Sequence, residues 1–101
     1  IHPSAIIEES AIIEDGCQIM AGAIIGPDVI IKENCIINSG AIISHDTEIG
    51  SSSHVTPGAT IAGDVTIGKR VTIGMCATLF YGISIKNDTV VNNNQSVIRS
   101  V

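Results

Sequence analysis

IMAGAIIGPDVIIKENCIINSGAIISHDTEI, residues 19–49, places an isoleucine at Ile19, Ile25, Ile31, Ile37, Ile43 and Ile49, one at every sixth position. Outward from this stretch the register holds in both directions. It reaches back through Ile13 and Ile7 to Ile1, and forward through Val55, Ile61, Ile67, Ile73, Leu79, Ile85 and Val91 to Val97. Two residues before each aliphatic runs a second, mostly small column, including Ala5, Ala11, Cys17, Ala23, Cys35, Ala41, Thr47, Ser53, Ala59 and Ala77. Three residues after it come turn formers such as Ser4, Gly16, Gly22, Asp28, Asn34, Gly40, Asp46, Gly58, Asp64, Gly82, Asp88 and Asn94. Gly, Asn and Asp adopt left-handed backbone angles at the lowest cost.

A period of six matches neither a 3.6-residue helix nor a simple alternating strand. It matches a short strand that sends one large and one small side chain inward and then turns a corner. Three such sides close a triangular coil, so the chain makes between five and six coils stacked about 4.8 Å apart. The expected fold is an all-β parallel β-helix, one domain over residues 1–101, with no loop inserted between coils. Composition agrees. Hydrophobic residues make up 45% of the chain, yet Phe80 and Tyr81 are the only aromatics. A core of Ile, Val and Ala suits strands, and a narrow column needs no ring as filler.

The net charge of −5, with no basic stripe or aromatic platform, argues against a nucleic-acid partner. No apolar run reaches membrane-spanning length and no signal peptide is visible. An initial Ile1 in place of Met is expected of a processed or trimmed chain. Three cysteines, an odd count, do not suggest a disulfide framework. Cys17 and Cys35 lie one coil apart and are read as small core fillers in a reducing cytoplasm.

The segment INSGAIISHDTEIGSSSHVTPGATIAG, residues 37–63, is more specific than the repeat. It resembles the hexapeptide-repeat sugar acetyltransferases that modify sialic acids or nucleotide-linked amino sugars in bacterial surface-glycan pathways. The matching residues are Asn38, Gly40, His45, Asp46, His54, Pro57, Gly58 and Ala59. The resemblance implies a left-handed β-helix, a homotrimer with its active site between subunits, acetyl-CoA as cosubstrate and no metal. It also implies a general base at His45, its partner at Asp46, and at His54 a donor to the thioester carbonyl. Asn38 and Gly40 are the corresponding substrate-binding positions.

Counting by coils adds further expectations. Gly63 lies one coil above His45 and would leave room for a ligand to pass close to the backbone. Tyr81 lies two coils above and would line the same groove. His54, half a coil from His45, belongs to another side of the prism, so the two could meet only across a subunit boundary. Residues 1–64 hold nine acids and one base, whereas residues 65–101 hold Lys69, Arg70, Lys86 and Arg99 against the single acid Asp88. A basic C-terminal end would favour the CoA phosphates. Together with His54, which the resemblance implies, the expected cofactor-binding set is Gly63, Lys69, Met75 and Tyr81.

His2 reads as part of the first coil rather than as a chemical group. The three histidines lack the His-x4-His spacing of the β-helical carbonic anhydrases, which argues against zinc. Members of the family also carry an N-terminal α/β domain for the sugar nucleotide, which these residues do not encode. In the last coil Asn92, Asn93, Asn94 and Gln95 stand where the family has small residues. The competing expectation is a structural, trimerising β-helix without catalysis.

Overall fold

The computed structural model describes all 101 residues as a triangular prism of 32 × 20 × 20 Å. Sixteen two-residue strands recur at six-residue intervals, from β1 (Ile6–Ile7) to β16 (Ser96–Val97), and there is no helix. They form three parallel sheets, one for each face of the prism. The first face stacks β1, β4 (Ile24–Ile25), β7 (Ile42–Ile43), β10 (Thr60–Ile61), β13 (Thr78–Leu79) and β16. The second stacks β2 (Ile12–Ile13), β5 (Ile30–Ile31), β8 (Glu48–Ile49), β11 (Thr66–Ile67) and β14 (Ser84–Ile85). The third stacks β3 (Gln18–Ile19), β6 (Ile36–Ile37), β9 (His54–Val55), β12 (Thr72–Ile73) and β15 (Val90–Val91).

Each strand pairs with the one a full coil away, so Ile43 lies between Ile25 and Ile61, and Val55 between Ile37 and Ile73. The expected β-helix is thus present with its register intact, as an arrangement consistent with the left-handed form. Along the axis the aliphatic column is fully buried from Ile25 to Ile61. The small column packs beside it, with Ala23, Val29, Cys35, Ala41, Ala59 and Ala77 also at zero exposure. Burial on this scale drives a fold in which each coil packs chiefly on its neighbours.

Polar members of the small column are satisfied by one repeated device. Cys17 and Cys35 donate from Sγ to the carbonyls of Lys32 and Gly50. Thr47 and Ser53 donate to the carbonyls of Ala62 and Gly68 and accept from the amides of Val65 and Val71. No buried side-chain polar atom is left without a partner.

The corners obey the sequence rule from Gly16 onward: every sixth residue to Asn94 has positive φ. This includes Ser52, Arg70 and Cys76, which are none of the Gly, Asn or Asp that take the angle cheaply and adopt it because the register requires it. Ser4 and Ser10, in the first coil, do not adopt it. There the hydroxyls accept from the amides of Gly22 and Asp28, taking the place of the backbone carbonyl that serves later corners.

Candidate active site

His45 stands at the corner between the first and second faces, between β7 and β8. Its backbone is held from both sides, because Asp46 N donates to Pro27 O at 3.1 Å and Asp64 N to His45 O at 2.9 Å. The imidazole is about half exposed, and its Nδ1 lies 2.8 Å from Asp46 Oδ2. A carboxylate only accepts, so the proton sits on Nδ1 and the lone pair on Nε2 is left for a substrate proton.

The space above His45 is not open in the way the spacing suggested. The imidazole itself lies over Gly63, where an added Cβ would strike Nε2, Cε1 and Cδ2 of the ring. Gly63 is buried in consequence. Its missing side chain makes room for the imidazole. Tyr81 does stand above in the same column, with ring centroids 6.2 Å apart and a tilt of 46° between the two rings.

His54 opens β9 on the third face, beside the corner that joins it to the second. Asn38, on the same face one coil below, places Nδ2 3.1 Å from His54 Nε2. The orientation of that amide is set by Ser39, whose N–H donates to Asn38 Oδ1 at 2.8 Å. Nδ2 must then donate, Nε2 accepts, and a neutral His54 carries its proton on Nδ1. The two histidines therefore share a tautomer but present opposite edges: a lone pair at His45 and an N–H at His54. Sequence reasoning had no access to the Asn38–His54 pairing, although their shared face could be counted from the period.

The remaining expected residues are dispersed. Gly40 and Met75 lie at the corner between the third and first faces, away from His45. Lys69 lines an open groove of about 420 Å³ on the second face, with Lys32, Glu48, Gly50, Gly68 and Asn87 among its walls. This groove was not foreseen; Gly50 and Gly68, one coil apart at outward positions, are the signal that could have revealed it. There Lys32 lies between Glu14 at 3.6 Å and Glu48 at 3.7 Å. The basic C-terminal cluster is smaller than its count, because Arg70 is paired in two contacts, at 2.6 and 3.1 Å, with Asp88. That contact holds the Asp88 carboxyl below its ordinary value and raises the Arg70 guanidinium. No group of three or more potential metal ligands is present.

Comparison with known proteins matches this geometry to solved structures. The acetyltransferase domain of PglB from Neisseria gonorrhoeae superposes with a TM-score of 0.98 at 27% identity, over 99% of this chain and 49% of that one. The same domain in complex with acetyl coenzyme A gives 0.91 at 27% identity, over 95% and 49%. A histidine variant of GDP-perosamine N-acetyltransferase from Caulobacter crescentus, in complex with CoA and GDP-perosamine, gives 0.80 at 30% identity, over 96% and 49%. The chain thus spans about half the length of the structures it matches. No curated protein matches it by sequence. Residues 10–45 and 46–80 match the family described as Bacterial transferase hexapeptide (six repeats), and the chain belongs to that family.

Proposed function

We propose that this chain transfers an acetyl group from acetyl-CoA to the amine or hydroxyl of a sugar, nucleotide-linked or of the sialic-acid type, in bacterial surface-glycan synthesis. The observation that carries the reading is the pair of complementary edges: Nε2 of His45 as proton acceptor and Nδ1–H of His54 as donor. In this mechanism His45 Nε2 takes the acceptor's proton as its nitrogen or oxygen attacks the thioester carbonyl. The oxyanion that forms accepts a hydrogen bond from His54 Nδ1–H. Collapse breaks the C–S bond, and the proton on His45 passes to the departing CoA thiolate. Solved structures of similar domains hold acetyl coenzyme A, or CoA with a GDP-sugar, which supports both substrate classes.

The two histidines need a second copy to meet, and the distribution of charge over the prism favours one arrangement. The second face presents Glu14, Lys32, Glu48 and Lys86 outward, whereas the third presents no acid, lysine or arginine and the first only Glu8. The corner between the third and first faces is also uncharged, with Ala21, Gly22, Ser39, Gly40, Pro57 and Gly58 among its residues. Three copies with that corner at a common axis would set the first face of each against the third face of the next. At the outer rim of each seam, His45 of one copy would then face His54 of its neighbour at nearly equal height. We place this homotrimer in the cytoplasm, in keeping with three unpaired thiols.

The test is acetyl transfer from acetyl-CoA to a panel of amino sugars and nucleotide amino sugars. His45→Ala should lower kcat by about 10²–10⁴-fold, the usual contribution of a positioned base. Wild-type protein that transfers to none of them would leave the structural, trimerising β-helix as the better reading.

A further inference from the structure

Tyr81 is the one aromatic side chain set against a histidine here, and it reaches His45 across two coils. Three contacts surround that imidazole. Asp46 holds Nδ1 at 2.8 Å, Gly63 lies beneath the ring, and the Tyr81 ring stands above it. The backbone beneath each is pinned to the same corner stack, since Asp64 N donates to His45 O at 2.9 Å and Gly82 N to Gly63 O at 3.1 Å. The Tyr81 backbone is therefore part of a hydrogen-bonded corner stack. A centroid distance of 6.2 Å lies within the range in which tilted rings attract one another.

An ion pair with Asp46 alone would leave the imidazole free to swing about Cβ, because both side chains are about half exposed. The floor and the upper wall restrict that freedom. A base contributes fully only when it is held within about half an ångström of its working position.

We propose that Tyr81 is a positioning residue for His45, and that Gly63 is glycine so that the ring can lie between the two coils. This assigns the Tyr81 side chain to the base rather than to the cosubstrate. The contact with His45 is ring to ring, so the ring rather than the hydroxyl carries the effect. The inference rests on the reading of His45 as the general base.

Two measurements on the full chain separate the possibilities. In proton NMR, the His45 ring signals should carry a ring-current displacement that Tyr81→Phe retains and Tyr81→Ala removes. Gly63→Ala should remove it as well, by pushing the imidazole aside. In the acetyl-transfer assay, Tyr81→Ala should lower kcat about tenfold and leave the KM for acetyl-CoA within about twofold, with Tyr81→Phe restoring the rate. A raised KM for acetyl-CoA at unchanged kcat would make Tyr81 a cosubstrate contact and overturn the proposal. So would unmoved His45 signals in Tyr81→Ala, or a Tyr81→Phe variant as slow as Tyr81→Ala. If the wild-type chain transfers no acetyl group, the proposed function fails, while the NMR arm still decides whether Tyr81 restrains the imidazole.

Discussion

At the scale of single residues, the same side chain does different work according to whether it points into the column or out at a corner. Cys35 and Cys76 are the clearest pair. Cys35 is buried and donates to the Gly50 carbonyl, and loss of solvent pushes its thiol from 9.0 up to about 11. Cys76 is exposed at a corner with φ of +56°. For Cys35 the sign of the linkage follows directly. The unfolded thiol ionises above about pH 9 and the folded one resists, so the stabilisation is complete below pH 9 and is lost as pH rises towards 11. Unfolding free energies from urea titrations between pH 8 and 11 should fall more steeply for wild type than for Cys35→Ala, by about 2 kcal/mol over the interval. Parallel curves would show that the buried thiol does not contribute.

The repeat unit, a strand with its corner, explains which sequence rules are strict and which are soft. The inward positions are strict because every coil stacks on the next in register, and a polar residue survives there only where a carbonyl fifteen residues on can receive it. Corners are softer. Ser52 tolerates a φ of +60° because its amide still donates to Glu33 O at 3.0 Å, which offsets part of the left-handed cost. Ser52→Gly should therefore stabilise the protein by about 0.5–1 kcal/mol. Gly58→Ala should act in the opposite sense, since its φ is +73° and the new Cβ would lie 3.0 Å from Cys76 Sγ. Thermal unfolding of the two variants checks the pair of signs. A Ser52→Gly protein that melts below wild type would mean that the corner strain is relieved elsewhere.

Over the whole molecule, the organising fact is that a prism has three faces and the charges occupy only one of them fully. That asymmetry predicts which surfaces meet and gives the proposed shared active site a direct assay. His45→Ala and His54→Ala chains should each be inactive alone. Unfolded together and refolded, they should recover about a quarter of wild-type activity, because a random mixture pairs an intact His45 with a neighbour's intact His54 at that frequency. Absence of recovery in a mixed trimer would discard the seam and, with it, the pairing of the two histidines in one reaction.

Much of this was legible in the residues themselves. Counting by sixes and eighteens places each of the 101 side chains on a face or at a corner, inward or outward, because the register never slips. It put Gly63 over His45, Tyr81 above both, Cys35 in the core and His54 on another face. The period constrains only backbone position, and there the reading ended. Whether the space over Gly63 was vacant or filled depended on the His45 side-chain torsions, and only the folded structure lays the imidazole there. The orientation of the Asn38 amide, and through it the proton on His54, depended on one bond from the Ser39 backbone. The pairing of Arg70 with Asp88 turned a run of bases into a smaller cluster. Coil positions follow from spacing along the chain; the tautomers, the ring contact and the ion pair depend on side-chain rotamers that packing selects.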